Sequence, residues 1–96
     1  MKIELEQQVL NFVGSLAPEP RRALREGLRK LVQEKGSIRA LEGDLEGFYR
    51  LRVGRYRIIF FYRSERRTRQ IRCVYAAHRT LVYEVFAQHL HELLEP

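Results

Sequence analysis

Phe48-Tyr49-Arg50-Leu51-Arg52-Val53-Gly54-Arg55-Tyr56-Arg57-Ile58-Ile59-Phe60-Phe61-Tyr62-Arg63 reads as a β-hairpin with cationic side chains set into its strands. Arg50 and Arg52 alternate with Tyr49, Leu51 and Val53. A period of two puts the arginines on one face and the apolar side chains on the other. Gly54-Arg55 falls where a two-residue turn closes such a hairpin, and glycine at its first position suits a type II′ turn. Arg57 then opens a second strand rich in Ile, Phe and Tyr. Neighbouring arginines on a sheet face repel one another unless an anion sits among them. Phosphate is therefore the first partner to consider.

Around this hairpin, runs at about 48–53, 56–63 and 70–77 predict three consecutive strands, with Ser64 to Arg69 as a polar turn. Ser37 to Gly47 reads as a connector. Toward the N-terminus, Lys2 to Leu5 alternates as a short strand would. Val9, Leu10, Phe12, Val13 and Leu16 recur at helical spacing. Ala17-Pro18-Glu19-Pro20 interrupts that helix, because proline breaks a helix interior. A second helix follows on Ala23, Leu24, Leu28, Leu31 and Val32, and Gly36 is placed to end it. Leu81, Val85, Phe86, Leu90, Leu93 and Leu94 predict a last helix over 81–94. The order β-α-α-β-β-β-α predicts an α+β fold. A small, largely antiparallel sheet would carry an N-terminal helical hairpin on it and a C-terminal helix. Residues 1–96 suit one domain with one modest core.

Hydrophobic residues make up 45% of the chain and charged residues 31%, a balance that suits a soluble globular protein and argues against disorder. A single cysteine excludes an internal disulfide and any cysteine-based zinc or redox site. Cys73 lies in the apolar run 71–75 and reads as a packing residue, not a nucleophile. The first residues carry early acids and no apolar stretch of the signal-peptide kind. No run approaches the ~20 apolar residues of a membrane span, so no membrane partner and a cytoplasmic location are expected. Net charge is +6, unevenly spread. Residues 50–79 hold ten arginines and one acid, whereas the other 66 residues hold eight Lys or Arg and eleven acids. Charge concentrated in this way predicts a polyanionic partner and salt-dependent binding.

No metal constellation stands out, and no cofactor is implied. His89 and His91 are two apart on a predicted helix and do not share a face. There is no glycine-rich phosphate loop. Glu42, Asp44 and Glu46 lie in the connector and read as turn and solvation residues. What remains is the arginine sheet together with His78, Arg79 and Tyr83, which follow the last strand. Brought beside Arg50, Arg52 and Arg57, these residues would hold a phosphodiester and stabilise charge on its oxygens. A titratable side chain would move the proton. An aromatic ring would stack on an unpaired base. With RNA, the polymer's own 2′-hydroxyl can serve as nucleophile. Each residue also has a structural alternative: Arg57 paired with a connector acid, Tyr83 in the core, and His78 capping the strand end.

The run from Leu41 to Phe60, with its Leu-x-Gly and its Tyr49-Arg50-Leu51-Arg52-Val53-Gly54-Arg55-Tyr56-Arg57-Ile58 pattern, resembles the RelE/ParE superfamily of bacterial toxins. His78-Arg79 and Tyr83 extend the resemblance over almost the whole chain. RelE-like ribonucleases and ParE-like gyrase inhibitors share this scaffold. In the RelE branch, sheet cations and a tyrosine near the C-terminal helix cleave mRNA in the ribosomal A site. That cleavage needs no metal and proceeds by 2′-hydroxyl attack. The resemblance implies that Arg57 and Arg79 stabilise the phosphorane. It implies that Arg50 and Arg52 hold the RNA backbone and that Tyr83 orients the base or leaving group; Arg55, in the turn between them and Arg57, is expected to bind phosphate as well. Arginine stays protonated at ordinary pH, which leaves His78 as the expected proton carrier. The implied partners are a cognate antitoxin and the ribosome with its mRNA. A ParE-like gyrase inhibitor and a non-catalytic RNA- or ribosome-binding module are the alternatives.

Overall fold

The computed structural model describes residues 1–94. Its elements are β1 (Lys2–Leu5), α1 (Gln7–Ser15), α2 (Pro18–Leu31), β2 (Ser37–Ala40), β3 (Tyr49–Val53), β4 (Tyr56–Glu65), β5 (Thr68–His78) and α3 (Val82–Leu94). The fold is α+β, as the sequence predicts. The strands form one sheet in the order β1-β5-β4-β3-β2, with β1 parallel to β5 and every other pair antiparallel.

The alternation of β3 and β4 sorts side chains as expected. Leu51, Ile58 and Phe60 face α1 and α2 and join Leu24, Leu31 and Ile71 in the larger core. Full burial of side chains of this size contributes about 1.5–3 kcal/mol each. Gly27 lets α2 lie close on β3, because a Cβ there would come within 2.7 Å of Val53 Cγ2. On the opposite face, Ile59 meets Leu45, Val82 and Phe86 in a smaller core beneath α3. Gly54 has φ +58 and Arg55 does not share the positive φ, the pattern of a type II′ turn.

Several expected boundaries move. The connector from Ser37 to Gly47 contains an edge strand, β2, and a 3₁₀ turn at Gly43–Leu45. β2 has only Ile38 as a large apolar residue, so pairing with β3 defines it where periodicity does not. The helical pattern does break before the prolines, at Leu16-Ala17, but Pro18 and Pro20 then belong to the first turn of α2, where no backbone N–H donor is required. Gly36 does not end α2. Glu34 takes the left-handed position at φ 54, its N–H donating to Leu31 O at 2.8 Å while Lys35 N–H donates to Lys30 O at 3.0 Å. These bonds form a Schellman closure with glutamate in the usual glycine site. The expected turn from Ser64 to Arg69 is mostly strand, leaving only Arg66 and Arg67 in the bend. In α3 only Val82 and Phe86 are buried; Val85, Leu93 and Leu94 are exposed, as is Leu81, which precedes the helix.

β5 carries the irregularity that matters most. Ile59 pairs with Tyr75 but Phe60 pairs with Cys73, leaving Val74 as an extra residue. The bulge resets the alternation, so Cys73 and Ala76 both face the larger core. Beyond the end of β1, the Gln8 side chain takes over as a partner for β5. Its Nε2 donates to Ala76 O at 2.7 Å, and its Oε1 accepts from Ala76 N at 2.8 Å. One amide thus satisfies a strand edge and ties α1 to it. Among the described residues no helix is long and apolar enough to cross a membrane.

Candidate nucleic-acid interface

β3 presents Arg50 and Arg52 on the face away from α1 and α2. Register then adds to them. Arg52 lies opposite Arg57 of β4, and Arg50 lies opposite Arg39 of β2. Four arginines therefore form a diagonal ladder across three adjacent strands. Directly opposed residues have Cα atoms about 4.5–5.5 Å apart, so like charges are held together by the backbone itself.

These side chains are not neutralised by acids. Arg50 Nη1 donates to Ser37 O at 2.9 Å and to Ser37 Oγ at 3.3 Å. Arg57 Nη1 donates to Gly54 O and Tyr56 O, both at 2.9 Å. Carbonyls fix both guanidiniums in place while leaving their charge and remaining N–H donors uncompensated. Arg57 is thus not paired with a connector acid. Arg79 is positioned by its backbone, whose N–H donates to Arg55 O at 2.8 Å and sets both residues at the β3–β4 turn. Among the described residues none of Arg39, Arg50, Arg52, Arg55, Arg57 and Arg79 forms an ion pair.

Other arginines of the basic segment are committed elsewhere. Arg72 reaches Glu4 and, at 2.9 Å, Glu6, locking β1 to β5. The Glu6 carboxylate, with Glu4 beside it, pushes the Arg72 pKa above its ordinary value. Arg63 lies 4.0 Å from Glu65, and Arg69 lies 4.0 Å from Glu34. The arginine-rich segment therefore does not act as one continuous patch.

A cleft of about 410 Å³ opens beside the ladder, lined by Arg39, Ala40, Leu41, Glu42, Leu45, Arg50 and Tyr83. Tyr83 is half-buried, its ring packed on the smaller core. Arg50 and Tyr83, far apart in sequence, are thus brought together. Arg39 and Glu42 join them, and the sequence reading had placed neither in the site. The signal for Arg39 was its alternation with Ile38, and nothing in the sequence singled out Glu42.

His78 does not join the ladder. It pairs in register with Tyr56, and its ring lies edge-on to that tyrosine, with centroids 6.0 Å apart. Tyr56 in turn contacts Phe12 of α1. Arg57 pairs instead with Ala77, one residue away and on the opposite face. His78 Nδ1 is engaged by Thr80, whose Oγ1 is 3.0 Å away and whose N–H donates to it at 3.3 Å. The expected proximity of His78 to Arg50, Arg52 and Arg57 is therefore corrected: the sheet separates them, and His78 caps the strand end. Cys73 is fully buried, and burial pushes its thiol up to about 12, as suits a packing residue.

No protein-family model and no characterised protein sequence matches the chain. Solved structures do match. The chain resembles a YoeB/ParE toxin from Agrobacterium tumefaciens at 13% identity and a TM-score of 0.65, over 82% of this chain and 99% of that one. It resembles RelE in a RelB–RelE antitoxin–toxin complex from Methanococcus jannaschii at 20% identity and 0.62, over 85% and 96%. It resembles the archaeal RelE–RelB complex from Pyrococcus horikoshii at 26% identity and 0.59, over 81% and 93%. In fold, the chain is similar to these RelE/ParE-type toxins.

Proposed function

We propose that this chain is the toxin of a toxin–antitoxin pair and that it acts as a ribosome-dependent, metal-independent endoribonuclease on mRNA. The observation that carries the reading is the unpaired arginine ladder running into a cleft that also holds Tyr83 and one carboxylate, Glu42. Arg50 and Arg52, with Arg39 and Arg55, hold the RNA backbone. Arg57 and Arg79 face the scissile phosphate and stabilise negative charge as it builds on the non-bridging oxygens. Glu42 takes the role that His78 cannot fill from the other side of the sheet, and removes the 2′-hydroxyl proton. The 2′ oxygen attacks phosphorus, the bond from phosphorus to the 5′ oxygen breaks, and a 2′,3′-cyclic phosphate remains. The departing 5′ oxygen takes its proton from water in the open cleft. Tyr83 stacks on the base and aligns the attacking sugar.

An antitoxin is the second partner in this reading. The Methanococcus jannaschii and Pyrococcus horikoshii relatives are complexes of toxin with antitoxin. On this chain an acidic antitoxin segment would cover the arginine ladder, and the protein would act in the cytoplasm.

The test is addition of the protein to a reconstituted translation extract, with mRNA 5′ ends mapped by primer extension. Cuts at A-site codons are expected, absent in Arg57→Ala/Arg79→Ala and strongly reduced in Glu42→Gln. Intact mRNA with the wild type would overturn the ribonuclease reading, and a gyrase supercoiling assay would follow. Full cleavage by Glu42→Gln would remove Glu42 from the proton step.

A further inference from the structure

The strands β4 and β5 outrun their neighbours. β3 accompanies β4 only as far as Phe60, and β1 accompanies β5 only from Gln70. The pairs Ser64↔Arg69 and Glu65↔Thr68 therefore belong to a two-stranded arm with no third strand beside it. Arg66 and Arg67 close the arm, with φ 49 and φ 70. Positive φ at both turn positions is the type I′ geometry, which favours Asn-Gly and strains a side chain such as arginine. Both arginines are exposed, and among the described residues neither side chain has a hydrogen bond or ion pair.

The arm is ordered where it leaves the sheet. The Arg69 guanidinium lies over the Tyr62 ring, 4.4 Å from its centroid. Thr68 Oγ1 donates to Glu65 O at 2.6 Å and braces the bend. Arg63 and Arg69 lie 4.0 Å from Glu65 and Glu34, which leaves Arg66 and Arg67 as the cations of the arm without an acid beside them among the described residues. Arg63 shares its strand and face with Arg57, six residues away, or about 20 Å at the usual strand rise. The arm thus carries a second group of cations well outside the cleft.

A merely soluble hairpin tip needs no charge in the two strained positions, because Asn-Gly would close it with less strain. Arginines kept there point to what their side chains meet. The guanidinium fork suits phosphate oxygens, and a projecting two-stranded arm can reach the backbone of a folded RNA across its wide, shallow minor groove. We propose that the β4–β5 arm is a second contact for the RNA phosphate backbone, gripping structured RNA beyond the strand held in the cleft. The proposal rests on RNA being the partner, but it does not require cleavage.

The test compares the wild type with Arg66→Asn/Arg67→Gly and Arg66→Lys/Arg67→Lys. The probe is a fluorescein-labelled RNA hairpin with a single-stranded tail, followed by anisotropy from 50 to 200 mM KCl. The Asn-Gly variant should melt at a higher temperature than the wild type and yet bind more weakly. Its slope of log K against log salt should shrink by about 1.4 to 1.8, the loss of two phosphate contacts. The dilysine variant should keep the wild-type slope. Unchanged affinity and slope in a more stable Asn-Gly variant would overturn the proposal. Failure of the wild type to bind the hairpin would overturn this proposal, while the ribosome-dependent ribonuclease reading stands or falls on the translation assay. Binding that weakens in the variant while no RNA is ever cut would support the arm and sink the ribonuclease.

Discussion

The two faces of the sheet are built from the same strands and have opposite characters. The face under α1 and α2 places Leu51, Ile58, Phe60 and Ile71 in a continuous apolar core. The other face is divided. α3 covers Ile59 with Val82 and Phe86, while Arg39, Arg50, Arg52 and Arg57 stand open beside it. Because alternate residues of one strand supply both faces, apolar packing on one side fixes the spacing of the arginines on the other. Their mutual repulsion is offset by burial across the sheet. The helix-covered face thus determines stability, and the arginine face holds a charge pattern that folding alone does not require.

The largest effect should come from cutting into the covered face. Phe60→Ala should lower unfolding free energy by about 3–5 kcal/mol, read by urea denaturation. Arg57→Ala should lower the single-turnover cleavage rate about 10²–10³-fold, the usual loss on removing one charge-stabilising donor. Its urea midpoint should stay close to wild type. If Arg57→Ala unfolded the protein as Phe60→Ala does, the division of roles between the faces would fail. Gln8→Leu should cost about 1–3 kcal/mol, because Ala76 loses partners for both its N–H and its C=O. Accelerated hydrogen exchange at Ala76 is the specific readout, and unchanged exchange there would show that water replaces the amide.

A smaller and pH-dependent effect belongs to Cys73. Burial raises its thiol from 9.0 to about 12. Below the unfolded value both states hold the proton, so the group does not affect stability. Between the two values the unfolded chain has lost the proton and the native protein keeps it. Stability must therefore fall as pH rises through that interval. Cys73→Ala should remove this part of the alkaline slope, whatever it does to stability at neutral pH. In the native protein at pH 8, iodoacetamide should leave the thiol unmodified. Rapid alkylation would mean that β5 opens at the bulge.

The hairpin was legible because its signals are local. Alternation from Tyr49 to Val53, a glycine at 54 and an Ile-, Phe- and Tyr-rich run from Tyr56 specify strand, turn and strand without reference to the rest of the chain. β2 was not legible, since Ser37–Ala40 becomes a strand only by pairing with β3. The first turn of α2 was misread because prolines that break a helix interior are tolerated at its start. The candidate site divided along the same line. Arg50, Arg52 and Arg57 were visible from the strand pattern, and Tyr83 from its place after the last strand, four residues beyond Arg79. Glu42 enters only because the 3₁₀ turn at Gly43–Leu45 brings the chain past α3. His78 was misplaced because the extra residue at Val74, which reverses the parity of β5, has no mark in the sequence.

The sequence by itself determined the period of each strand, the faces of the helices and the concentration of arginine between 50 and 79. Those properties follow from backbone geometry and from neighbours a few residues apart. The tertiary structure alone decided which arginines stand together. It paired Arg52 with Arg57 and Arg50 with Arg39, and it gave Arg72 to Glu4 and Glu6. The physical reason is that electrostatic pairing depends on separation in space, which register and one bulge set across segments as many as 68 residues apart.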